Sequence, residues 1–257
     1  MDEDIWGFDC AGTVIKFDDK EIKVKEQLTE ILDDIMGQQH VLALAENTKT
    51  AETHIVKIRY ELNPKYFDFD DPEEEKEIAI DHFSSEVHAA ERLGNAGYGP
   101  KYVTHWRQIQ GTGWPLDGGS VFFLVMGTVP GEDVDKIRDE LSDRQLDSIR
   151  SQLARISEFM RKDGYKLYEQ HPSFLRYDRM ADKLYLVDLT FIGFTDPKSE
   201  TSIPVEEDNV YVEAFNIWRY PYDEPLSLLS WLIRLISPKK RTFATRAQTA
   251  GSKLPYW

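Results

Sequence analysis

Five carboxylates fall within six residues of the stretch FDFDDPEEEKE, residues 67–77, with only Pro72 among them. Clustered carboxylates can grip a planar guanidinium bidentately, or accept a proton as a general base. They can also act purely as structure. Asp71 ahead of Pro72, with Glu74 three residues on, is a capping box with proline where its missing N–H costs nothing. Negative charge there also suits the positive end of a helix. Capping accounts for Asp71 and Glu74 and leaves Asp70 and the crowded charge unexplained.

A second charge pattern closes the chain. After Glu224 there is no acid, while Arg234, Lys239, Lys240, Arg241, Arg246 and Lys253 supply six basic residues. The interleaved Phe243, Tyr256 and Trp257 could stack on unpaired bases of a nucleic acid. The plainer alternative is a solvated tail. Histidines at 40, 54, 82, 88, 105 and 171 show no H-E-x-x-H spacing, so no metal site is expected. Cys10 is the one cysteine, which excludes an intrachain disulfide framework and a thiolate cluster.

The elements that must position these groups are legible in outline. The chain has 257 residues, 41% hydrophobic and 12% aromatic, a globular composition with room for one large domain or two lobes. Its net charge of −15 argues against generic nucleic-acid coating. The acidic start MDEDIWGFDC lacks a secretory pattern, and LSLLSWLIRLIS (226–237) is too short and interrupted to span a bilayer. A soluble, cytoplasmic protein is expected. Alternation predicts strands at 13–17, 40–46 and 53–62, and two further strands, KYVTHWRQI and SVFFLVMGTV, flank the Gly-rich turn GTGWPLDGG. Helices are predicted near 25–37, over 72–94 with Gly94 just past the end, and over 141–164 with Ser142 as cap. Short strands FLRYD and KLYLVDL and helices near 205–218 and 225–237 follow. The plan is α+β, with a strand-rich lobe at 1–128 and a reduced helical lobe at 129–257 ending in the basic tail.

In this order the landmarks resemble the protein-kinase-like fold. Lys57 in IVKI stands where kinases carry the strand lysine that grips phosphates, and Glu86 in FSSEVHAAERL where the next helix supplies its partner. FFLVMGTVPGED resembles the strand and hinge between lobes. EQHPSFLRYDRMADKLYLVDL is similar to the small-molecule-kinase loop, two short strands and metal-binding aspartate, here Asp188. The resemblance implies a two-lobed fold with Lys57, Glu86 and Asp188 at a substrate site. The sequence departs from it in several places. The turn ALAENTKTAETHI has no glycine to cover phosphates, Glu169 stands at the catalytic-aspartate position, and Phe174 stands at the metal-binding asparagine position.

D-D-x-x-E, read here as Asp70-Asp71-Pro72-Glu73-Glu74, resembles the acidic motif of fungal arginine-containing cyclodipeptide synthases. These join arginine and a second amino acid from aminoacyl-tRNAs into a diketopiperazine. That resemblance implies arginyl-tRNA and a second aminoacyl-tRNA as partners, with no metal, no cofactor and no stable protein partner. Asp70, Asp71, Glu74 and Glu169 become the catalytic candidates, and Lys239, Lys240, Arg241 and Arg246 the tRNA contacts. The ester is already activated, so a positioned neutral amine and a base suffice. The alternative is a catalytically inactive pseudokinase-like scaffold or binding protein, and the third reading an atypical small-molecule kinase.

Overall fold

Alternation along β4 (Thr53–Glu61) decides how the first half of the chain is built. Val56, Ile58 and Tyr60 point to one face and Ile55, Lys57 and Arg59 to the other, and all six are buried. The computed structural model describes residues 9–17 and 20–218. In it β4 is central to an antiparallel sheet of six strands. The others are β1 (Val14–Phe17), β2 (Lys20–Asp33), β3 (Gln38–Asn47), β5 (Tyr102–Ile109) and β6 (Ser120–Gly127), in spatial order β1-β2-β3-β4-β6-β5. The sheet curls until its edges meet: Phe17 of β1 stacks on Trp106 of β5, with ring centroids 4.9 Å apart. One apolar cluster fills the curl, around Ile22, Val41, Ile58, Tyr60 and Phe123.

The opposite face carries α1 (Pro72–Ala96), which buries Phe83, Glu86, Val87, Ala90 and Leu93. This second core continues into the rest of the chain through α3 (Asp143–Lys162), whose Leu146, Ile149, Leu153, Ile156 and Met160 form a buried stripe. Ser142 and Gln145 cap α3 reciprocally, and Gly164 at φ +87° turns the chain after it. Between the halves lie the short β7 (Glu132–Asp133) and α2 (Val134–Ile137). Beyond α3 come β8 (Tyr165–Leu167), β9 (Leu175–Asp178), β10 (Lys183–Leu186), β11 (Ile192–Phe194) and α4 (Val210–Glu213). This is a reduced kinase-like α+β plan: a curled sheet with one long helix, joined to a helical half with few helices among the described residues.

Three expectations are corrected. The segment 25–37 is strand β2 followed by the turn Asp34–Gly37, not a helix. Two bulges, between Val24 and Glu26 and between Gln27 and Thr29, break its two-residue period. They leave Leu28, Ile31 and Leu32 at helical spacing on a strand. The long helix ends at Ala96 with Gly97 at φ +73°, so Gly94 lies inside its last turn. The helix expected near 205–218 shrinks to α4, which begins at the Asn209 cap and is followed by Asn216 at φ +51°. The helix at 225–237 and the basic tail lie outside the described residues. Among the described residues, no helix is long and apolar enough to cross a membrane.

Gly94 gives a direct test of how α1 is seated. A Cβ there would sit 2.4 Å from the Pro100 carbonyl oxygen. Gly94→Ala gains about 1 kcal/mol in helix propensity but overpacks against backbone, which costs roughly 1–3 kcal/mol. A net loss in urea midpoint is expected, and a stabilised variant would show that α1 is not held against Pro100.

Candidate functional site

Lys57 and Arg59 project from the same face of β4 toward α1, where aliphatic side chains would otherwise pack. Both are essentially inaccessible, at 1% and 0% exposure. Burying two cations demands matched anions. Glu86 of α1 supplies one: Oε2 accepts from Arg59 Nη1 at 3.1 Å, and Oε1 lies 3.5 Å from Lys57 Nζ. Asp188, just after β10, supplies the other and accepts a hydrogen bond from Lys57 Nζ. Thr190 closes the corner. Its amide and hydroxyl donate to Asp188 Oδ1 at 2.9 and 2.8 Å, and its hydroxyl oxygen accepts from Lys57. Arg59 Nε donates to Gln38 Oε1 at 3.2 Å. The result is a buried network of two cations and two anions drawn from β4, α1 and the β10–β11 connection.

The surroundings are polar. His40 of β3 lies 3.6 Å from Asp33 and its imidazole is held well below the usual histidine range, first by burial and then by Arg59 and Lys57. His82 of α1 is lowered to about 4 for the same reasons, burial and then Arg59. Burial pushes the Asp33 carboxyl up. The cavity that reaches Lys57, walled by Glu86, Gly99, Leu124 and Val187, holds about 10 Å³. That is room for one water, not a triphosphate.

The sequence-predicted residues separate into four groups. Lys57, Glu86 and Asp188 meet in the buried network. Asp70, Asp71 and Glu74 lie exposed at the start of α1, where Asp71 Oδ1 accepts from the Glu73 and Glu74 amides at 3.0 and 3.4 Å. Glu169 is exposed. The basic tail residues Lys239, Lys240, Arg241 and Arg246 lie outside the described residues. Phe174, at 0% exposure, is part of the main core. Neither turn beside β3 is glycine-rich: Thr48–Ala51 has none, and the single Gly37 of Asp34–Gly37 abuts the Phe69 ring.

Magnesium with a nucleotide is what the kinase resemblance implies, and these residues do not fit it. Asp188 Oδ1 is engaged by Lys57 and Thr190, which leaves Oδ2, buried and unpartnered, as the one spare oxygen. Phe174 offers no donor, and magnesium demands an octahedron of oxygens. Among the described residues, no group of three or more His, Cys, Asp or Glu could hold a metal ion.

Sequence reasoning missed Arg59, Thr190 and Gln38. A signal existed for Arg59, since two residues after Lys57 on a strand means the same face. Gln38 carries no such signal, because the helical spacing of 25–37 hides the hairpin that places it at the start of β3.

No family model matches the chain, and no curated protein matches its sequence. Among solved structures it is similar to the Cydia pomonella granulovirus kinase PK-1, at 15% identity over 67% of this chain and 52% of that one, with a TM-score of 0.44. It is also similar to vaccinia related kinase 3, at 15% identity over 71% and 51%, with a TM-score of 0.43. The chain matches about half the length of each.

Two measurements check the network. Lys57→Met strands Asp188 in the interior and should cost about 3–5 kcal/mol in urea unfolding. Lys57→Met with Asp188→Leu removes both ends and should recover much of that loss; an additive double variant would show the two groups are uncoupled. The histidines set a pH dependence. His82 binds a proton near pH 4 when folded and near 6.5 when unfolded, so the unfolded chain protonates first as pH falls. Stability should therefore decline between about 6.5 and 4, and His82→Gln should flatten part of that decline relative to wild type.

Proposed function

We propose that this chain is a kinase-like binding protein that does not transfer phosphate from ATP. The observation that carries this reading is the state of Lys57. Its ammonium, 1% exposed, is bonded to Asp188 and Thr190 and paired with Glu86, and the cavity beside it holds about one water. A phosphate-gripping lysine has to present its charge to the ligand. Here the charge serves the interior instead. Phe174 in the core and the glycine-poor turns point the same way, because phosphoryl transfer needs several charge-stabilising parts acting together.

The cyclodipeptide-synthase reading assigns its chemistry to Asp70, Asp71, Glu74 and Glu169. These carboxylates stand in solvent, and Asp71 is already engaged as a helix cap. The geometry supports the capping role, and the binding-protein reading is the better supported of the two.

Thermal shift with ATP and magnesium, followed by phosphate release over hours, tests the proposal. No shift and no release are expected. A saturable shift accompanied by γ-phosphate transfer to any acceptor would overturn it. Incubation with arginyl-tRNA and a pool of other charged tRNAs should yield no cyclic dipeptide by mass spectrometry; a product would restore the synthase reading.

A further inference from the structure

Where β3 begins and β4 ends, the sheet leaves a cavity of about 260 Å³, bounded by the first two turns of α1 and the β5–β6 loop. It is distinct from the filled space at Lys57. Its walls carry Glu61, Glu75 and Asp117 against a single ammonium, Lys76. Lys76 is itself held by Glu73, at 2.8 Å. Glu61 is 7% exposed and one of its oxygens accepts from the Ser120 amide at 2.7 Å. Glu75 is half-buried, and its carboxylate makes no hydrogen bond or ion pair among the described residues. Burial pushes its carboxyl above the usual range, with the charges of Glu74 and Asp70 adding to the rise. The cavity is short of positive charge.

Gln38 is an independent observation at the same place. It lines the cavity at 0% exposure, and its Oε1 accepts from Arg59, which orients the amide. Its Nε2 is buried and has no partner. A donor left unmade in the interior is costly, so an acceptor oxygen brought by a ligand would be favoured there. Leu62, Phe69 and Leu116 supply apolar wall.

We infer that this cavity binds an α-ammonium group attached to a neutral carbonyl on an apolar body, the chemistry of an amino amide or of the amino end of a peptide. The ammonium meets Glu75 and Glu61, the carbonyl oxygen accepts from Gln38 Nε2, and the apolar body lies against Leu62, Phe69 and Leu116. A ligand carboxylate is disfavoured, because three acids to one lysine leave the walls net negative. Nucleotides are rejected on the same ground.

Calorimetric titration of the full chain with four matched probes tests this. L-leucinamide has all three features, isoamylamine lacks the carbonyl, 4-methylpentanamide lacks the ammonium, and L-leucine replaces the neutral carbonyl with a carboxylate. L-leucinamide should bind at least about tenfold tighter than each of the others. Glu75→Gln, at a half-exposed position, should weaken L-leucinamide and isoamylamine alike. Gln38→Glu keeps an acceptor for Arg59 but loses the donor, so it should abolish the preference for L-leucinamide over isoamylamine. A leucyl tripeptide amide that binds as well as L-leucinamide assigns the site to peptide amino ends, and its rejection assigns it to free amino amides; both uphold the chemistry. No binding of L-leucinamide at millimolar concentration overturns the inference. So does equal binding of 4-methylpentanamide, or a Glu75→Gln protein that binds as wild type.

Discussion

The rest of the structure depends on a lysine ammonium almost wholly shielded from solvent. Lys57 is pinned between Glu86 on the long helix and Asp188 after β10, with Arg59 sharing Glu86. Each of these ions would be expensive to bury alone, and the network is tolerable because the charges balance and most hydrogen-bonding sites are met. It ties the curled sheet to α1 and to the helical half at one point. On the proposed reading, the same closure occupies the charge a nucleotide would need. The network is a structural joint.

The joint also sets the chemistry next door. Arg59 reaches from Glu86 to Gln38 and takes the acceptor end of that amide. The donor end of Gln38, which lines the cavity at the start of α1, is left without a partner. α1 links the two regions physically: its middle carries Glu86, its end fits against Pro100 at Gly94, and its first turns wall the acidic cavity. The acidic run is thus divided. Asp71 caps the helix, Asp70 and Glu74 face solvent, and Glu75, one residue beyond the motif, turns inward. A helix places successive residues about 100° apart, so adjacent glutamates need not share an environment.

Legibility followed periodicity. Strands β3 and β4 and helices α1 and α3 were readable because their apolar residues repeat at two or at three to four positions, and β5 and β6 because they flank a Gly-rich turn, β6 as a continuous apolar run. β2 was not, because its bulges produce a helical spacing on an extended backbone. Lys57, Glu86 and Asp188 were nameable from motif order, whereas Arg59, Thr190 and Gln38 joined them through contacts that no short motif encodes.

By itself the sequence determined the inventory: which residues carry charge, where helices can start, that Phe174 offers no donor and that the turns are poor in glycine. Only the tertiary structure decided which charges are buried together and which of the clustered acids meets a cavity. The physical reason is that the free energy of an ionised group depends on its neighbours and its access to water. For Lys57 those neighbours come from a helix and a loop far along the chain, and no local pattern specifies their distance.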